Sequence, residues 1–158
     1  MTENYIQIMA ESLEKKLEVL DRIIEVNKRQ LECSTAYPFD VEVYDKIVDE
    51  KSALIDEIER LDEGFTSTYK LVREEVQTEP EKYRDSVLKL QELVRQAVEK
   101  GVSVEAQEKR NKAAMEAALS MKRQEIRKSR ISTDAAMKYY NAVSKINNVD
   151  PQLMDKKK

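Results

Sequence analysis

Ile6, Ala10, Leu13, Leu17, Leu20, Ile24, Asn27 and Leu31 follow one another at alternating intervals of four and three residues. That alternation is the seam of a helix laid along another helix, and no strand can use it. Val19, Ile23 and Val26 form a second stripe, shifted back by one residue. Two adjacent stripes make an apolar face wider than a two-stranded coiled coil needs. The first helix, over residues 3–35, therefore has two helical partners, and the fold class is an all-α, antiparallel, coiled-coil-like helical bundle.

The segment STAYPFD interrupts the pattern. Pro38 disfavours helix at Tyr37. Asp40 is placed to cap a new helix, and Phe39 and Tyr44 stand where a hydrophobic staple would close over the cap. The second helix, over 41–77, carries Tyr44, Ile47, Lys51, Leu54, Ile58, Leu61, Phe65, Thr68 and Val72 in unbroken phase past Gly64. Each of these helices exceeds 30 residues, or roughly 50 Å, and the short link makes them an antiparallel hairpin. Thr78-Glu79-Pro80-Glu81 has the composition of a helix start. A third helix is expected over 80–100 and, beyond a kink or break at Gly101 and Ser103, over 103–130. Run straight, it reaches roughly 75 Å, so its far end must protrude, bend or fold back. Residues 1–130 then form one domain, and 131–158 a basic tail that is partly disordered or conditionally helical.

Only two glycines, three prolines and no tryptophan occur in 158 residues that are 37% charged. That composition favours long helices, and turn signals for strands are almost absent. Residues 120–158 hold 10 Lys and Arg against 4 Asp and Glu, a net of +6, whereas 1–119 hold 18 against 27, a net of −9. A basic tail on an acidic body fits a nucleic-acid or membrane-surface tail, or one drawn to its own body or to an acidic partner. The basic charges are spread thinly and match no groove-reading motif, which argues against nucleic acid. The start of the chain lacks the basic and apolar regions of a secretory signal, and no window reaches the length and apolarity of a membrane span. With a single cysteine, a reducing, cytoplasmic location is expected.

There is no histidine. That removes Ser-His and Cys-His nucleophiles, the commonest general base, and the Glu-x-x-His sites of di-iron bundles. Lone Cys33 cannot build a zinc site, and no glycine-rich phosphate loop exists. The carboxylates lie among lysines and arginines at helical spacings, as on a solvated face. No catalytic residue, metal ligand or cofactor is expected. Cys33 reads as a packing residue. Asn27, on a seam, reads as a register device. Lys51, also on a seam, should pack its stem and turn its ammonium to an acid such as Asp56 or one across the seam.

The far end of the third helix differs in character. NKAAMEAALSMKRQEI places Ala113, Ala114, Ala117 and Ala118 among Met115, Leu119, Met121 and Ile126. Small residues admit a second helix closely, and methionine adapts to irregular partners. These residues suit a helix-in-groove site, and they equally suit packing on the second helix. Tyr139 and Tyr140 carry large rings with polar tips, common at interfaces. They fit presentation to a partner, or docking on the body as one stripe with Ala142 and Ile146.

EKSALIDEIERLDEGF (50–65), RNKAAMEAAL around Asn111, RQEIRKSR, AAMKYYN and the final DKKK appear in this order. Together they resemble flagellar type III export chaperones of the FlgN type, and the related FliT type is not separated from it. The resemblance implies a cytoplasmic, non-enzymatic protein. It would bind the C-terminal amphipathic helix of hook–filament junction proteins, keep them monomeric and deliver them to the export gate. It implies client contacts at Asn111, Ala114, Met115, Ala118, Leu119 and Ile126, and gate contacts at Tyr139 and Tyr140. The competing readings are a structural coiled-coil adaptor and, behind it, a nucleic-acid-binding coiled coil. Oligomeric state is left open.

Overall fold

The computed structural model describes residues 1–129 and 139–142. Three long helices follow in order: α1 (Thr2–Thr35), α2 (Val41–Thr78) and α3 (Arg84–Ser129). The protein is an all-α bundle. α1 lies at its centre and packs along both α2 and α3, while no Cα of α2 comes within 8 Å of one in α3. This follows from the double stripe of α1. Ile6, Met9, Ala10, Leu13, Val19, Leu20, Ile23 and Val26 are all buried, so both stripes are used. Leu17, Ile24 and Leu31 sit half-buried at the margins.

α2 runs antiparallel to α1, and α3 runs parallel to it. Arg29 reaches Glu50 at 2.8 Å and Lys16 reaches Asp62 at 2.8 Å across the first pair. Lys100 reaches Asp21 at 2.6 Å across the second. The turn between α1 and α2 forms as its residues dictate. The Asp40 carboxylate accepts the Val43 N–H at 3.1 Å. The Phe39 and Tyr44 rings lie 5.4 Å apart over it.

Two boundaries differ from expectation. Thr78 is the last residue of α2, and its hydroxyl donates back to the Glu74 carbonyl at 2.7 Å, so it caps nothing ahead of it. Residues 80–83 form a turn, and α3 begins at Arg84, with the Val87 N–H donating to the Tyr83 carbonyl at 2.9 Å. The expected pieces 80–100 and 103–130 are one helix, unbroken at Gly101. Ala97, Gly101, Val104, Glu108, Asn111 and Met115 are all buried and spaced four, three, four, three, four. Packing of that continuous seam on α1 outweighs a local glycine cost of about 1 kcal/mol.

α3 has 46 residues against 34 in α1. Asn111 bonds to Gln30, so α3 is level with the end of α1 near Met115 and continues about 20 Å beyond it.

Gly64 lies inside α2, and a Cβ built there meets nothing within 4 Å. Gly64→Ala should therefore raise unfolding stability by about 0.5–1 kcal/mol, since it removes only unfolded-chain freedom. Urea denaturation followed by circular dichroism measures it, and a loss of stability would contradict the open surroundings of Gly64.

Candidate functional site

Lys51 sits at a core position of α2 and is 0% exposed. Its stem cannot lift the ammonium to water, so the charge is met inside. Nζ donates to both carboxylate oxygens of Glu108 on α3 at 2.9 Å and to Gln30 Oε1 on α1 at 2.6 Å. Glu108, 4% exposed, is the acid across the bundle. Around the pair the polar groups are linked. Gln30 Nε2 donates to the Tyr44 hydroxyl at 2.8 Å. Asn111 Nδ2 donates to the Asn27 carbonyl at 3.1 Å and to Gln30 Oε1 at 3.3 Å. Asn27 Nδ2 donates to Gln107 Oε1 at 3.2 Å. All three helices thus contribute to one polar layer. A layer of this kind penalises any slip of register, because a slip leaves a buried charge without its partner.

Above this layer α3 leaves α1 behind. Asn111 belongs to the polar layer, and Met115 is buried with Tyr44, Val48 and Ala142, with Cys33 and Phe39 at the edge of the cluster. Leu119 is buried, while Ala114, Ala118 and Ile126 are half-buried. The expected client residues therefore divide: Asn111 and Met115 hold the bundle together, and the others line two clefts. One, of about 260 Å³, lies between the α1–α2 turn and the alanine face, with Tyr37 and Phe39 opposite Ala114, Ala117, Ala118 and Met121. The other, of about 180 Å³, brings Leu119 and Ile126 together with Arg123, Arg127, Tyr139 and Tyr140.

The two tyrosines are placed differently. Tyr139 is buried, its ring 5.3 Å from Phe39 and its hydroxyl donating to the Phe39 carbonyl at 3.4 Å. Tyr140 is 51% exposed, with the Arg123 guanidinium 5.0 Å from its ring centre. Segment 139–142 thus lies on the body, with Tyr139 and Ala142 inward. Ile146, expected to share that stripe, and the rest of 130–138 and 143–158 lie outside the described residues. Phe39 and Tyr37 were the unforeseen members of this region. The staple signal located Phe39, but its role as the seat of Tyr139 rests on a contact between residues a hundred positions apart.

Cys33 is half-buried, and burial, then Asp40, push its thiol pKa up, which suits a packing residue. No group of three or more His, Cys, Asp or Glu able to hold a metal occurs among the described residues. Among those residues, no helix is long and apolar enough to cross a membrane. Compared with known proteins, the chain matches no family model, no curated protein and no solved structure.

Burial raises the pKa of the Tyr44 and Tyr139 hydroxyls, with Lys122 partly opposing the rise at Tyr139. A raised folded-state pKa means that stability is complete below the ordinary value of 10.0 and is lost as pH climbs through and above it. Absorbance titration near 295 nm should show exposed tyrosines ionising first, with Tyr44 ionising only as the helices melt. Tyr44→Phe should remove that last phase, and an unchanged titration curve would contradict the burial of this hydroxyl.

Proposed function

We propose that the protein is a cytoplasmic export chaperone, holding the C-terminal amphipathic helix of a flagellar hook–filament junction protein and delivering it to the type III export gate. The reading starts from the ordered segments EKSALIDEIERLDEGF, RNKAAMEAAL, RQEIRKSR and AAMKYYN. The observation that carries it furthest is the run of α3 past the end of α1. There, among the described residues, the face of Ala114, Ala118 and Met121 meets the α1–α2 turn, from Ser34 to Phe39, across a cleft. Alanines let a client backbone come close, and Met121 and Tyr37 supply adaptable apolar area at the edges. A client helix would present its apolar stripe to this face. Leu119 and Ile126 would join the contact where segment 139–142 now lies, so the client competes with the protein's own chain.

The tyrosines then divide the work of delivery. Tyr139, seated on Phe39, holds the segment in place, and Tyr140, exposed, is the ring offered to the gate. A structural adaptor would need no such cleft at one end of the bundle.

Calorimetry with synthetic C-terminal helices of junction proteins tests the reading. Ala118→Glu, with helicity checked by circular dichroism, should weaken binding at least about tenfold, or 1.4 kcal/mol. Tyr140→Ala should leave affinity unchanged and lower secretion of the client. Binding indifferent to Ala118→Glu would remove the site from this cleft, and absence of binding to every junction helix would overturn the reading.

A further inference from the structure

Below the Lys51–Glu108 pair, α2 and α3 stand apart over α1. The cleft between them holds about 440 Å³, floored by Leu13 and Leu20 and walled by Ile58, Phe65, Ala97 and Val98. Three sides of a four-helix bundle are present here. The outer lip of the cleft is also apolar where a solvated helix would carry charge, with Val98 60% and Val102 59% exposed. These valines belong to a second seam on α3. Leu88, Gln91, Arg95, Val98, Val102 and Glu105 follow at three, four, three, four, three. α1 does not use this seam. It packs on the neighbouring seam of Ala97, Val104 and Asn111, with Lys89, Lys100 and Gln107 making polar contacts beside it.

We infer that this seam pairs with the same seam of a second copy of the chain, α3 against α3 and antiparallel, closing the cleft. The sequence of the seam selects both occupant and direction. Place Val98 opposite Val102 of the second copy. Symmetry then places Val102 opposite Val98, Arg95 opposite Glu105 and Glu105 opposite Arg95. A two-fold contact requires this reciprocity, in which residue i meets j and j meets i. Two valine pairs lie at the centre, and an opposite-charge pair flanks them on each side. A parallel pairing would set Arg95 on Arg95 and Glu105 on Glu105, which repels. A foreign helix has no reason to carry matching charges at these symmetric places. Arg95 already bonds to Glu92 and Glu99 along α3, and Glu105 also has a partner within the chain, so the intermolecular pairs fix register and direction while the valines supply the association.

This contact lies apart from the client clefts, so each can fail alone. Sedimentation equilibrium of the full chain, from low to high micromolar concentration in low salt, should show a monomer–dimer equilibrium. Val98→Glu should give monomer throughout. Arg95→Glu and Glu105→Arg should each weaken the dimer roughly fivefold to tenfold, and the two together should restore it. If circular dichroism shows Val98→Glu misfolded, the two charge reversals decide alone. A monomeric mass at every concentration overturns the inference. So does a dimer indifferent to the reversals, or a monomer whose capture of a junction-protein helix is abolished by Val98→Glu.

Discussion

The Lys51 ammonium lies in the middle of the bundle with no path to water, and much of the architecture follows from how it is met. Glu108 gives it both carboxylate oxygens and Gln30 gives it an amide oxygen. Since the backbones of α2 and α3 never approach closely, this pair joins them through two long side chains reaching over α1. A buried ion pair contributes little net stability relative to apolar residues of the same size, but it is costly to misplace. Its effect is to select one register among the several that repeating heptads would allow.

That register sets everything above it. With Glu108 level with Lys51, Met115 falls beside Tyr44 and Val48, and the remaining turns of α3 pass the end of α1. The alanine face then comes opposite the Tyr37–Phe39 turn, and Phe39 is in place to receive Tyr139. Below the pair, the same spacing keeps α2 and α3 apart and leaves the lower cleft open. A shift of one heptad would bury a different set of residues at both ends.

Much of this was legible in the sequence, and the rest was not for identifiable reasons. The double stripe of α1 announced two partners, and Asp40 with Phe39 announced the α2 start, because caps and stripes are local. Lys51 was recognisable as a seam residue, but its acid lies fifty-seven residues away, and no local spacing points there. One signal was available. The phase of Tyr83, Val87, Leu90, Val94 and Ala97 continues through Gly101 to Glu108 and Asn111, two polar residues on a seam. Reading Gly101 as a kink or a break concealed it. Thr78-Glu79-Pro80-Glu81 misled in another way, because α2 runs on through the cap-like threonine, whose hydroxyl turns back to the Glu74 carbonyl. The division of the α3 face into core residues, Asn111 and Met115, and cleft residues, Ala114 and Ala118, depends on where α1 ends, which periodicity does not encode.

A double-mutant cycle on Lys51→Met and Glu108→Leu tests the dependence on the buried pair most directly. Each single change should lower unfolding stability by about 3–5 kcal/mol, because it strands one buried charge. The double change should cost far less than the sum, because nothing is stranded. Single changes costing under about 1 kcal/mol and adding without coupling would show that the ammonium and the carboxylate reach water separately, and the register would then have another origin.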